Sequence, residues 1–445
     1  MAGSLRASAR GLESVDKARK RKGWTKTMTV SWWQAALTTQ ATLKRFWQKK
    51  PIQQETFIHI CQAVGIGNWK EIVDSGAVEE AEAREMPILD WGEAPDVSGF
   101  YGRTEELAVL EKWIVADGCH LVTLFGMGGI GKTALSVMLA EQIQNEFDYF
   151  IWRSLRSAPS VEDLIADLLR CLSNEQSTDL PTDLPKDIGR RISQLISQLI
   201  ESLRFPKGTN PSTGSHRCLL ILDEVETILG AGQATGYYRE GYEGYGELFR
   251  RVGRERHNSC LMLIGREQPN EIALIQGETP SVRSLLLSDL NDTDAWQIFR
   301  AKGLSDENHW KSLFQIYRGN PLILNIIASY IKDSFAGKVS DFLKLETIFL
   351  GDIHLILDTS WQRLSNLQKE IMFKLAANLN PSSIFKLKEE INLTVSTSEI
   401  MEAIQALERR SLIEKQIEGN EVIYTLQPVV RRYVKRKIAK RTVEQ

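Results

Sequence analysis

The chain has 445 residues, 42% hydrophobic and 25% charged, with a formal net charge of −2. That composition predicts soluble globular domains, about two to four at this length, and excludes a fibrous or low-complexity protein. The longest apolar runs, such as Cys218–Leu222, are strand length and too short to cross a bilayer. No signal-peptide core stands at the N-terminus, so the expected compartment is cytoplasmic, with no membrane partner. Cys61, Cys119, Cys171, Cys218 and Cys260 are scattered without a C-x-x-C pair and read as reduced core residues. The six histidines form no metal-like pair.

Charge is uneven along the chain. Residues 1–73 carry 13 Lys+Arg against 4 Asp+Glu, so the total of −2 divides into +9 here and −11 beyond. A basic module on an acidic body predicts an anionic partner for the module. Residues 1–75 read as a small helical domain, with helices at Ser14–Lys22, Thr29–Leu37, Thr39–Lys49 and Gln53–Val64. Five of the eleven tryptophans lie here (Trp24, Trp32, Trp33, Trp47, Trp69) and supply core mass. Thr29–Lys50 resembles a lambda-repressor-like helix-turn-helix, with Ser31–Thr38 as positioning helix and Thr39–Lys49 as recognition helix. The resemblance implies Thr39, Gln40 and Thr42 at base edges, Lys44 and Arg45 at phosphates, and Leu43, Phe46 and Trp47 in the core. Lys17, Arg19, Lys20, Arg21 and Lys22 would add backbone contacts. The same fold also serves protein contacts, so a protein-binding head stands as the alternative.

Residues 76–96 read as an acidic linker containing Glu79, Glu80, Glu82 and Glu85. Residues 97–289 alternate strand and helix, the pattern of an α/β domain with a parallel sheet, with strands expected at 120–125, 148–154, 218–223, 259–265 and 283–287. Ser173–Asp187 and Leu229–Gly246 read as inserted loops, the first of them mobile. Residues 290–337 are helical in pattern. In 338–445 a helix at Ser398–Glu408 precedes two alternating runs around Gly419-Asn420, the pattern of a winged helix, and a basic C-terminal helix follows.

The segment Gly126-Met127-Gly128-Gly129-Ile130-Gly131-Lys132-Thr133 satisfies G-x-x-x-x-G-K-[ST]. An apolar strand precedes it and a helical pattern from Ala134 follows, which is the context a phosphate loop requires. The glycines aim successive amides at one anion, and the helix start adds the positive end of its dipole. Gly126, Gly128, Gly129, Ile130, Gly131, Lys132, Thr133 and Ala134 are the expected phosphate contacts. Lys132 would reach the β- and γ-phosphates, and Thr133 would hold Mg²⁺. Further on, Leu219–Leu222 delivers Asp223 and Glu224 to a strand's C-terminal end, where open α/β sheets bind ligands. Asp223 would complete the Mg²⁺ shell, and Glu224 would orient or deprotonate water. The strand from Cys260 ends in Arg266, placed to sense a γ-phosphate.

Val97–Leu107 then resembles the hhGRE motif of NB-ARC proteins, signal-transduction ATPases of the STAND class. The likeness continues in order through the phosphate loop, the Asp223 strand, the Arg266 strand and Gly319-Asn320-Pro321-Leu322, which is similar to the family's GLPL motif. It implies an ATP/ADP switch in which Val97, Phe100 and Tyr101 pack on adenine, Arg103 lies near the nucleotide and Pro321 presses on base or ribose. Two departures stand out. Where the family carries Met-His-Asp, this chain has Leu426-Gln427-Pro428, and Gln427 offers a neutral hydrogen bond in place of the histidine. The family's members usually carry a long C-terminal repeat array, and this sequence reads as a minimal version, a truncated one, or one that borrows its sensor from a partner.

The reading that results is a multidomain α and α/β protein. It would work as an ATP/ADP-binding, Mg-dependent, weakly hydrolysing switch that self-assembles on ATP binding. The competing readings are an interaction adaptor holding ADP as a structural ligand, and a motor-like ATPase on nucleic acid. The chain shows no extra substrate-processing domain to support the last.

Overall fold

A computed structural model describes the chain except residues 1–3, 28, 75–86, 98, 174–184, 186, 205–216, 233–235, 346–350, 379, 392–394, 420 and 445. It divides into two compact units, Met1–Met86 and Pro87–Gln445. No helix among the described residues is long and apolar enough to cross a membrane.

The first unit holds helices α1 (Ala9–Arg21), α2 (Val30–Ala35), α3 (Gln40–Trp47) and α4 (Gln54–Ala63). A short antiparallel ribbon joins β1 (Ser4–Leu5) to β2 (Ile52–Gln53). Helix α1 starts five residues before the expected Ser14, because Ser8 caps it: its hydroxyl accepts the Gly11 amide at 2.9 Å. Thr39 does the same for α3, accepting from Thr42 at 3.2 Å. Val15, Trp32, Leu43, Phe46, Phe57 and Ile60 close the core, and Trp47 packs beside it. Arg19, expected among the outward basic residues, is instead buried. It donates to Asp16 and to the Trp24 carbonyl, and lies over the Trp47 ring.

The second unit is built on six parallel strands: β3 (Ile88–Asp90), β4 (Leu121–Phe125), β5 (Tyr149–Ser154), β6 (Cys218–Asp223), β7 (Cys260–Gly265) and β8 (Val282–Leu286). Their spatial order is β3-β5-β6-β7-β4-β8. Five match the expected strands to within a residue. The sixth, β3, pairs with Tyr149–Ile151 inside what read as the 76–96 linker, so that linker is shorter than expected. At three residues beside Pro87 and an acidic run, it offers no alternating pattern. The linker's Glu79, Glu80, Glu82 and Glu85 lie outside the described residues, as does most of the Ser173–Asp187 loop.

Alternation along the strands splits the apolar residues between two faces. Val122, Leu124, Phe150, Trp152, Leu219, Ile221, Met262 and Ile264 enter one core with the helix Lys132–Ile143 and the C-terminal helices. Leu121, Ile151, Leu220, Leu222, Leu261 and Leu263 enter the other, covered by helices Val161–Ser173, Ile188–Arg204 and Gly244–Arg254. The last of these begins inside the expected 229–246 loop.

Beyond the sheet, helices Asp292–Ala301, Trp310–Tyr317 and Pro321–Phe335 lead to Gly351–Gln362, Asn366–Ala377 and Thr397–Arg409. A hairpin follows, β10 (Glu414–Glu418) with β11 (Glu421–Thr425), and β9 (Ser382–Ser383) pairs along β11. The closing helix Pro428–Glu444 buries Val429, Val430, Tyr433 and Val434, while its Lys437 and Arg441 pair with Asp358 and Glu370 at 2.7 and 2.8 Å.

Candidate functional site

The strand order decides the site. β7 lies between β4 and β6, so three strand ends meet at one edge: the glycine loop after β4, Asp223 closing β6, and Arg266 beyond β7. Helix Lys132–Ile143 starts without a side-chain cap, and its first amides are left to face an anion.

Lys132 is buried and folds back, its ammonium donating to the carbonyls of Gly126 and Met127, each at 2.9 Å. Burial pulls its pKa down to about 8, aided by Arg266 and opposed by Glu226 and Asp223. The Thr133 hydroxyl donates to Asp223 at 2.9 Å. The other Asp223 oxygen accepts the Glu224 amide at 2.7 Å. Burial pushes the Asp223 carboxyl up to about 6 despite these two bonds. Glu224 has φ +62°, an uncommon conformation for a residue with a side chain. Its carboxylate accepts from Ser154 at 2.8 Å and from Arg156 at 3.0 Å. Burial raises its carboxyl, but these partners outweigh that and hold it below the usual range.

Arg266 points to the loop. Its guanidinium lies where a methyl group on Gly128 would meet it at 3.0 Å, so a side chain there would press on Arg266. Glu226 holds it from behind, 3.0 Å from Nε and 3.0 Å from the backbone amide. Its Nη1 is buried and lacks a hydrogen-bond partner among the described residues. A buried cationic N–H left unmatched is costly, and an anion would match it.

The helix Pro321–Phe335 docks on the same loop. Asn320 donates to the Gly128 carbonyl at 3.0 Å, the Leu322 amide reaches the Gly129 carbonyl at 3.2 Å, and Pro321 lies 3.8 Å from where a Gly131 side chain would start. Arg103 is buried, and its donors are taken by Ile130 O (3.2 Å), Ser288 O (2.6 Å) and Glu106 (2.8 Å), so it braces the loop from outside. Val97, Phe100 and Tyr101 are half-buried against the core that contains Met127 and Ile130. Gln427 sits apart, its amide donating to Asp289 at 3.2 Å. Ala134 falls in the first turn of the loop's helix.

The donor set fits a magnesium-bound polyphosphate: a hydroxyl and a carboxylate for a hard cation, and amides, an ammonium and an unmatched guanidinium N–H for phosphate oxygens. Sequence reasoning missed Glu226, Arg156 and the amide of Asn320. Only Asn320 had a signal, its place inside the Gly319–Leu322 motif.

Residues 103–206 match the NB-ARC domain family. The chain carries an NB-ARC domain over this segment. It is 39% identical over 482 residues to the uncharacterized WD repeat-containing protein alr2800 of Nostoc sp. (strain PCC 7120), covering 99% of this chain and 36% of that protein. It is 22% identical over 292 residues to the disease resistance-like protein DSC1 of Arabidopsis thaliana, covering 62% of this chain and 21% of that one. The chain thus spans about a third of the Nostoc relative's length and about a fifth of the Arabidopsis protein's. Among solved structures, the Walker-type ATPase paby2304 of Pyrococcus abyssi aligns over 76% of this chain and 96% of that one, at 16% identity and a TM-score of 0.48.

Proposed function

We propose that this NB-ARC chain is a switch operated by an adenine nucleotide bound at the glycine loop. The observation that carries the reading is the unmatched, buried Arg266 N–H aimed across Gly128, beside the Thr133–Asp223 pair. In this reading the amides from Gly126 to Ala134 take the phosphate chain, and Lys132 leaves its two carbonyls to bind the β- and γ-phosphates. Thr133 and Asp223 hold Mg²⁺, which when bound draws phosphate charge and offers Lewis acidity. Arg266 reports whether the terminal phosphate is present. Val97, Phe100, Tyr101 and Pro321 line the base and ribose end.

Glu224 orients water through a carboxylate already tied to Arg156 and Ser154. A base so engaged and so acidic gives slow hydrolysis, which suits resetting a switch more than sustained turnover. Gln427 is proposed as a weaker substitute for the family histidine, acting through Asp289. The C-terminal helices with the β10–β11 hairpin are proposed as the winged-helix region that closes on the nucleotide.

The head is proposed to bind DNA in helix-turn-helix fashion. Thr39, Gln40 and Lys44 are exposed on α3, which supports this, while Arg45 is half-buried and donates to the Pro51 carbonyl at 3.0 Å. The Nostoc relative is named for WD repeats, and a repeat array of that kind, in this chain or another, is proposed to sense the trigger. The nucleotide reading is tested by titrating Mg-ATP and ADP into wild type and Arg266→Ala. Weaker ATP binding with ADP affinity kept supports Arg266 as the terminal-phosphate reporter, and equal loss for both refutes that role. If ADP never exchanges and Asp223→Ala changes nothing, the chain is an adaptor with structural nucleotide.

A further inference from the structure

Arg266 has a neighbour that faces the other way. Glu267 is 1% exposed at its side chain, yet it is an acid in the middle of the fold. Two arginines from the C-terminal region clamp it. Arg363 Nε lies 2.6 Å from Oε1, and Arg410 Nη2 lies 3.0 Å from Oε2. Arg410 is buried, at 4% exposure, and Arg363 is half-buried, at 15%. Arg410 also donates to Gln368 at 2.7 Å, and Gln368 accepts the Ser365 amide in the capping box of helix Asn366–Ala377. Arg363 in turn reaches the Leu229 carbonyl at 3.3 Å, and its own carbonyl accepts the Gly232 amide at 3.0 Å. Leu229 follows the turn that begins at Glu224. The exits of both chemistry-bearing strands, β6 and β7, are therefore tied to one arginine.

Buried charges held by forked hydrogen bonds are stable in discrete arrangements and poor in intermediate ones, because leaving either charge unmatched in a water-poor interior is costly. Arg266 and Glu267 share a peptide bond. Whatever moves the Arg266 side toward a terminal phosphate must disturb the Glu267 side, and loosening the clamp must disturb Arg266.

We propose that Glu267, clamped by Arg363 and Arg410, is the latch that couples the phosphate site to the C-terminal region 351–441. It is a positioning residue: it touches no nucleotide, and it acts through Arg266 on one side and through the two arginines on the other. Without a terminal phosphate, Arg266 stays on Glu226 and the latch is closed. When Arg266 is drawn to a terminal phosphate, Glu267 shifts off its forks and the C-terminal region is released. The proposal rests on the nucleotide reading of the site.

The test uses the full chain, with release of a fluorescent ADP analogue followed by stopped flow and hydrogen exchange mapped on the same samples. Glu267→Gln keeps the shape and removes the charge. It is expected to speed analogue release roughly tenfold, within the usual range of coupling between sites, and to raise exchange in 351–368 and 397–412 while strands β4 and β6 stay protected. Arg410→Lys keeps the charge and breaks the fork, and is expected to give a smaller change in the same direction. Joining it to Glu267→Gln should give less than the product of the two effects. Exchange that rises in the C-terminal region with unchanged release shows a merely structural ion cluster and overturns the latch. Should Glu267→Gln fail to fold, Arg410→Lys is measured in its place: faster release with raised exchange supports the latch, and unchanged release overturns it. A wild type that binds no analogue refutes the nucleotide reading and the latch with it. A wild type that binds, with variants releasing at its rate, refutes the latch alone.

Discussion

Asp223 and Lys132 share a pocket from which water is largely excluded, and burial moves them in opposite directions, to about 6 and about 8. Each is partly discouraged from its charged form until a partner of opposite sign arrives. Magnesium needs the carboxylate, so protons compete with it: Mg-dependent nucleotide affinity should fall as pH drops below about 6, measured by titration at fixed ionic strength. Asp223→Asn should bind nucleotide without that dependence. For the free protein, a carboxyl raised in the fold contributes stability below its unfolded value, near 3.8, which is lost as pH rises through 6.

His257 works the other way. Buried beside His120, with Nε2 on the Val252 carbonyl at 2.9 Å, its pKa is pulled down to about 4 by burial and then by His120. Its contribution is complete above about 6.5 and lost as pH falls through 4, on the order of 3 kcal/mol at most. His257→Phe should flatten the acid side of a plot of Tm against pH, and an unchanged slope would contradict this. At this scale Lys132, Thr133 and Asp223 were legible because motif spacing encodes them. Glu226 and Arg156 were not, since their bonds to Arg266 and Glu224 cross 40 and 68 residues and no local pattern announces such a contact.

The elements meet closely where the Pro321–Phe335 helix seats on the glycine loop. Gly129 has φ +78°, and a methyl group there would stand 2.8 Å from Leu322 Cβ. Gly129→Ala combines left-handed strain of about 1–2 kcal/mol with overpacking of about 1–3 kcal/mol. It should lower Tm by several degrees and weaken nucleotide binding together. Lower stability with intact binding would mean that the helix seat and the loop are independent. Five of the six sheet strands could be read from sequence, because buried apolar runs between turn signals are strong local patterns. Strand β3 could not, since three residues at a sheet edge depend on their partner β5 for being a strand at all. The start of α1 was misplaced for a comparable reason: Ser8 declares itself a cap only through its bond to Gly11.

At the scale of the molecule, a basic head and an acidic body form separate compact units, each with its own core. If the head binds DNA, affinity of the full chain should fall steeply with salt, and Lys44→Ala should reduce the slope of log Kd against log salt by about one. A salt-independent or absent response would leave the head as a protein-binding module. If the body is a switch, its mass in solution should differ between ADP and a non-hydrolysable ATP analogue. Switch, latch and slow hydrolysis alike require that the glycine loop hold an adenine nucleotide. Equilibrium titration of Mg-ATP and ADP into wild type and Lys132→Ala decides it most directly. Saturable binding by wild type, weakened by about 100-fold or more in the variant, is the expected result, since it corresponds to losing roughly 3 kcal/mol of charge-assisted contact. Equal affinity in the two proteins, or a wild type that binds neither nucleotide, would contradict it.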